Sequence, residues 1–225
     1  MNRTSTRIVG ILICCAVAQI IVGYLGHSIL LVYIFKPLAT LLVLSIALVN
    51  WISQKSKYAL WICGGLVFSL VGDVLLMWPE RYFVVGLGAF LFAHIAYLAA
   101  FTRGMKFPST WTVWGFYLAI GAGMYFALSD RLPAELKLPV ALYAFALATM
   151  GAQAMGRYFS LRTQTAMLAA AGGIFFMVSD GLLAVDRFRA AIPYGAIVVL
   201  VPYYVAQVLI AMSTQRGEQT KLEEA

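Results

Sequence analysis

Eight long apolar runs divide the chain, at residues 8–25, 28–50, 58–78, 82–101, 111–128, 134–152, 165–185 and 192–212. Short polar stretches separate them: Gly26-His27, Ser53 to Lys57, Pro79-Glu80-Arg81, Thr102 to Thr110, Ser129 to Leu138, Gly156 to Thr165, and Asp186 to Arg189. One helix needs roughly 20 mainly apolar residues to cross the hydrocarbon of a bilayer. Each run is close to that length, and the gaps leave no room for a separate soluble unit. The pattern predicts an all-α protein, a polytopic bundle of about eight transmembrane helices. Residues 1–212 form its single transmembrane domain, and 213–225 form a polar tail that is expected to fray.

Composition agrees with this reading. The chain is 63% hydrophobic and 11% charged over 225 residues, against about 45–50% and about 25% for a soluble domain. The net charge of +7 is no sign of nucleic acid, because the basic residues form no concentrated patch. They mark segment ends instead. With the N-terminus inside, the inner side holds Arg3, Arg7, Lys55, Lys57, Arg103, Lys106, Arg157, Arg162, Arg216 and Lys221. The outer side holds Arg81, Arg131, Lys137, Arg187 and Arg189. This bias puts both termini in the cytoplasm. Trp51, Trp61, Trp78, Trp111 and Trp114 sit near segment ends, as an aromatic belt would. Arg3, Arg7 and the run after them resemble a signal peptide, but no cleavage site leads into a polar chain, so the run is read as a retained first helix. Short loops and the lack of a transit-like leader suggest a bacterial inner membrane. Cys14, Cys15 and Cys63 lie inside apolar runs, as buried small hydrophobes do.

The chain echoes itself. Gly65 to Leu76 and Gly172 to Leu183 each read as glycine, an apolar run, a small residue, aspartate, then a Leu-Leu pair. The offset of 107 residues is close to half the chain. It suggests two four-helix repeats, and an even number of crossings makes them parallel.

Ionisable groups inside membrane segments are costly and usually face the bundle interior. Here they are Lys36, Asp73, His94 and Asp180. Asp73 follows Gly72 and Asp180 follows Ser179, small residues that admit a close neighbour. If the halves pack about a twofold axis, the carboxylates converge on one cavity. They would not both ionise there, leaving an acid beside a base. The plain alternative is structural pairing of each. Lys36 precedes Pro37, which frees helix carbonyls; the lysine pairs with an aspartate, holds a phosphate, or snorkels to the interface. His94 either relays a proton or packs as a bonded core histidine. Tyr143, Tyr203, Tyr204 and Gln207 carry polar tips that glue helices or line the cavity. Gly86-Leu87-Gly88 reads as close helix packing. No serine elbow, Walker loop or zincin motif is present, and with two histidines, one of them (His27) in a loop, no metal site is expected.

These pieces, in this order, resemble the YhhN family of membrane proteins, which includes lysoplasmalogenases. The matching stretches are Lys36-Pro37, Gly72-Asp73, Phe83 to Tyr97, the surroundings of Tyr143 and Met150, Gly173 to Asp180, and Tyr203 to Gln207. They span about residues 30 to 210. The resemblance implies an eight-helix bundle that hydrolyses the vinyl-ether bond of a lysoplasmalogen to a fatty aldehyde and a glycerophospho-head group. For that activity Asp73 and Asp180 are the expected catalytic residues, one the acid and the other the base or cation stabiliser. Lys36, His94, Tyr97, Tyr143, Tyr203, Tyr204 and Gln207 are the expected substrate-binding ones.

The chemistry suits such residues. A vinyl ether hydrolyses by protonation at carbon, which leaves an oxocarbenium ion. The first step needs a general acid, and the cation needs a nearby carboxylate, as in glycosidases. No metal or organic cofactor is required. The partners are a lysophospholipid-like substrate and membrane lipid. Two rival readings use the same residues: a small transporter with Asp73 and Asp180 as a proton relay, and a scaffold whose polar groups only join helices.

Overall fold

The computed structural model describes residues 29–215. Seven α-helices follow one another: α1 Ile29–Gln54, α2 Lys57–Leu75, α3 Pro79–Thr102, α4 Trp111–Leu128, α5 Ala134–Leu161, α6 Gln164–Phe188 and α7 Gly195–Met212. All seven are long and apolar enough to cross a membrane, and no strand occurs among the described residues. The protein is a multi-pass helical bundle. The expected first helix, 8–25, lies outside the described residues.

The bundle is inside-out relative to a soluble one. Large apolar side chains such as Trp111, Phe116 and Phe126 face outward, 77%, 64% and 71% exposed, as lipid requires. Small residues fill the contacts instead: Ala39, Ala47, Ala93, Ala100, Ala169 and Ala206 have no exposed surface. Lipid supplies no hydrophobic drive between helices, so close backbone approach and interhelical hydrogen bonds hold them together.

The sequence echo is a structural repeat. Lys55 and Arg162, 107 positions apart, both take left-handed backbone angles (φ 54° and 55°). Lys55 lies over Trp51, and Arg162 over Tyr158. The next residues, Ser56 and Thr163, cap the following helices by accepting the amides of Ala59 and Ala166, each at 3.2 Å. Gly65 faces Tyr97, and Gly172 faces Ala206. Gly72 meets the ring of Phe90, whereas Ser179 donates to the Val199 carbonyl at 2.9 Å. The offset is 107 on α2 and α6, and 109 on α3 and α7, so the loop between the paired helices differs by two residues. The packing follows the same rule: α3 lies on α5, and correspondingly α7 lies on α1. This crossing exchange between halves brings the two aspartates toward one interior.

Two boundaries differ from the apolar pattern. The run 134–152 continues as helix to Leu161, because Gln153 and Arg157 are buried rather than loop-forming. Gln153 accepts the Ser109 amide at 3.1 Å and donates to the Lys106 carbonyl at 3.0 Å. Arg157 donates to the carbonyls of Phe101 and Arg103. The loop between α3 and α4 thus solvates a polar helix end. The second correction concerns Ser213 and Thr214, expected in a frayed tail. They are buried. Ser213 shares a 2.8 Å hydrogen bond with Tyr58, and Thr214 accepts from Asn50 at 2.9 Å. Residues 216–225 of the tail lie outside the described residues.

The small-residue contacts make a test. A Cβ at Gly172 would stand 3.1 Å from the Ala206 carbonyl oxygen and 2.7 Å from Ile210, whereas Gly115 has nothing within 4 Å. Gly172→Val is expected to cost about 1–3 kcal/mol through overpacking. Gly115→Ala is expected to be neutral or slightly stabilising, since helical glycine costs up to about 1 kcal/mol. Thermal unfolding in detergent reads both.

Candidate active site

Asp73 stands near the end of α2 with almost no exposed surface. Its Oδ2 accepts two hydroxyl hydrogens, from Thr40 and from Tyr203, each at 2.6 Å. Its Oδ1 lies 3.5 Å from the Lys36 ammonium. Lys36 and Thr40 are one turn apart on α1, so one helix face delivers both groups. Pro37 sits between them inside that helix. Tyr203 comes from α7 and is itself held: Gln207 donates to its oxygen at 3.0 Å. Gln207 in turn accepts from Tyr97 at 2.8 Å, and Tyr97 meets Ser69 at 3.3 Å. A polar chain therefore runs from Asp73 back into the core across three helices.

Asp180 on α6 has a different set. Its Oδ2 accepts the Tyr143 hydroxyl at 2.5 Å and lies 3.4 Å from His94 Nε2. Nε2 also stands 3.0 Å from the Tyr143 oxygen. His94 Nδ1 is buried with no hydrogen-bond partner. A hydrogen on Nε2 and a bare Nδ1 leave no buried donor unpaired, and an unmade donor bond is the costlier one. The order is then His94 to Tyr143 to Asp180, each donating to the next.

The two sets are repeat-related. Tyr143 is 107 residues beyond Lys36, and Tyr203 is 109 beyond His94, the same offsets as in the scaffold. Each aspartate is met by the helix that precedes its own, Lys36 and Thr40 of α1 or Tyr143 of α5, and by the last helix of the other half, Tyr203 of α7 or His94 of α3. The duplicated frame is common to both, and the chemistry is not: ammonium and phenol hold Asp73, phenol and imidazole hold Asp180. The sets share no residue. Phe176 separates them, with ring centroids 4.8 Å from His94 and 5.7 Å from Tyr203.

Both carboxylates line one cavity of about 880 Å³. Lys36, Tyr143 and Tyr203 line it with them, and the remaining wall is mainly apolar, including Leu87, Leu147 and Met177. Pro79, Arg187 and Gly195 belong to the same lining. The cavity therefore extends toward the loops that follow α2 and α6. His94, Tyr97, Tyr204 and Gln207, expected at the substrate, stand behind this wall rather than in it. His94, Tyr97 and Gln207 have no exposed surface, and Tyr204 packs against Tyr203 with centroids 5.3 Å apart. Lys36 does not reach the interface by snorkelling, because its nitrogen faces Asp73. Thr40 was absent from the sequence reading; its place one turn beyond Lys36 was the available signal. Arg187 was read only as a topology charge. Among the described residues no three His, Cys, Asp or Glu side chains cluster as metal ligands.

The sequence profile of the YhhN family matches residues 31–214. Human lysoplasmalogenase TMEM86B is 33% identical over 183 residues, covering 80% of this chain and 75% of that protein. Human lysoplasmalogenase TMEM86A is 36% identical over 163 residues, covering 69% of this chain and 65% of that one. A YhhN membrane protein of Escherichia coli O157:H7 is 25% identical over 181 residues, 80% and 86% of the two chains. No solved structure matches.

The Lys36–Asp73 pair yields a stability prediction. Breaking a buried ion pair by removing one partner costs about 3–5 kcal/mol, because the other charge is left uncompensated. Lys36→Met is expected to lower the thermal midpoint strongly. The double variant Lys36→Met/Asp73→Asn is expected to recover most of that loss, which a double-mutant cycle in detergent measures.

Proposed function

The chain belongs to the YhhN family, and on that premise we propose that it hydrolyses the vinyl-ether bond of a lysoplasmalogen, with Asp73 and Asp180 as its catalytic residues. The products are a fatty aldehyde and a glycerophospho-head group. The observation that carries this reading is the pair of carboxylates facing one largely apolar cavity, each with its own polar support. An apolar chamber suits a lipid chain, and the hydrolysis has two proton tasks to divide.

The division follows from the partners. Asp180 accepts one hydroxyl hydrogen, from Tyr143, and faces no ammonium, which leaves it the role of the acid. In the first step Asp180 protonates the outer vinyl carbon of the alkenyl chain. The carbon bonded to the ether oxygen becomes the oxocarbenium centre. Asp73 faces an ammonium and accepts two hydroxyl hydrogens, which suits the anionic role. It stabilises the cation and takes a proton from the attacking water. The hemiacetal then collapses: the C–O bond to glycerol breaks as Asp73 passes its proton to the glycerol oxygen, and the hemiacetal hydroxyl gives its proton to Asp180 as the aldehyde forms, which restores both carboxyl groups. An acid placed in this way contributes typically about 10²–10⁴-fold.

His94, Tyr97 and Gln207 then act as positioning residues, fixing Tyr143 and Tyr203 without touching substrate. Tyr204 backs Tyr203. The protein works as one transmembrane unit in a bacterial inner membrane with both termini cytoplasmic, and the cavity extends toward the outer face. The names of the human relatives favour hydrolysis over a proton-coupled transporter built on the same aspartates.

Purified protein in detergent, given lysoplasmenyl-ethanolamine, is expected to release aldehyde. Asp73→Asn and Asp180→Asn should each lower the rate per folded molecule at least about 100-fold. Tyr143→Phe should lower it less. Absence of aldehyde from the wild type, together with proton-coupled flux in liposomes, would assign transport instead.

A further inference from the structure

Lys36 is committed to Asp73, so the cation that meets a phosphate must come from elsewhere in the cavity. Arg187 is on its lining. It stands seven residues beyond Asp180 on α6, which is two helical turns and about 10.5 Å toward the interface. Seven residues return to nearly the same face, so Asp180 and Arg187 look into the same space. A lysophospholipid carries its phosphate at the far end of the glycerol from its sn-1 ether, so a cation displaced along the helix from the acid can meet it.

The guanidinium is already oriented. It lies over the Phe83 ring, 5.3 Å from the centroid, and donates to Glu80 Oε1 at 2.9 Å. Glu80 is 85% exposed at the side chain. An ion pair that open to solvent contributes little, so a better acceptor displaces the carboxylate readily. A phosphodiester, which takes two parallel N–H bonds from arginine, is such an acceptor. Glu80 borders a second recess of about 580 Å³, lined also by Trp78, Pro79 and Tyr82, and Pro79 is common to both spaces. A head group leaving the main cavity at Arg187 enters this recess. Its lining carries the Glu80 carboxylate, the Trp78 ring, and the Arg81 guanidinium lying over the Tyr82 ring 5.2 Å from the centroid, so Glu80 and Trp78 are the groups that attract an ammonium there.

We propose that the Arg187–Glu80 pair is the head-group site: Arg187 takes the phosphate, and Glu80, released from it, takes the ammonium of a zwitterionic head. The ion pair exchanges partners with a ligand that carries the complementary pair of charges. Head-group choice is thereby set at the end of α6 and the start of α3, away from the aspartates. The assignment rests on the reading of the substrate as a lysophospholipid, and it concerns binding, so it is testable without turnover.

The probes are ether lipids that lack the vinyl bond. Binding of 1-O-hexadecyl-lysophosphocholine, hexadecyl phosphate and 1-O-hexadecylglycerol is measured on the full chain in detergent. Arg187→Gln is expected to weaken both phosphate-bearing probes about ten- to hundred-fold, the loss of a charge-assisted bond. Hexadecylglycerol should be unchanged, which reports an intact cavity. Arg187→Lys should retain part of the affinity. Glu80→Gln should weaken the phosphocholine probe alone. Inorganic phosphate should compete only feebly, because the site is read as a lipid head-group site. Equal loss of all three probes in Arg187→Gln, unchanged binding of the phosphate-bearing probes, or inorganic phosphate binding as tightly as the lipid would each overturn the proposal. A wild type that shows this pattern but releases no aldehyde would refute the hydrolytic reading and leave the head-group site standing.

Discussion

Two carboxylates buried in a membrane bundle impose the constraint on which the rest depends. A charge at that depth is tolerated only with partners, and no single helix supplies enough of them. Asp73 draws on α1 and α7. Asp180 draws on α3 and α5. Six of the seven described helices thus carry an acid or one of its partners, and the polar chain through Gln207, Tyr97 and Ser69 ties three of them again. The same bonds that make the acids affordable in lipid also fix the helix order.

Duplication explains how one fold yields two different acid sites. The repeated turn before α2 and α6 and the glycine contacts set equivalent frames. Within that frame, the position holding Lys36 in one half holds Tyr143 in the other, and the position of Tyr203 corresponds to His94. One acid therefore faces an ammonium, and the other ends a hydrogen-donor chain. Two carboxylates with separate supports need no shared proton to differ in role, which departs from the direct acid–base pair that the sequence suggested.

The family match extends over residues 31–214, so it takes in both supports and the exposed Arg187–Glu80 pair. These differ in kind. The acid partners stand inside the bundle, each held to its carboxylate by a hydrogen bond or ion pair. The pair at the rim is exposed, and therefore exchangeable. A site that must hold a reactive geometry while admitting a lipid benefits from both.

Hydrophobic periodicity by itself determined that the chain is helical and spans a membrane, because the bilayer sets one length for every segment. It located the boundaries of α4 to the residue, and the Asp73 and Asp180 echo was legible as a repeat. The interhelical partners were not legible. Thr40 and Tyr203 meet Asp73 from 33 and 130 residues away, and no local pattern encodes such a meeting. Apolarity also misplaced the end of α5 and the burial of Ser213, since hydropathy counts Arg157 or Ser213 as exposed and cannot see the carbonyls and hydroxyls that satisfy them. His94, Tyr97 and Gln207 were recognisable as unusual residues for lipid. Only packing put them behind the cavity wall, because burial against a neighbouring helix is a property of the assembled bundle and not of any one segment.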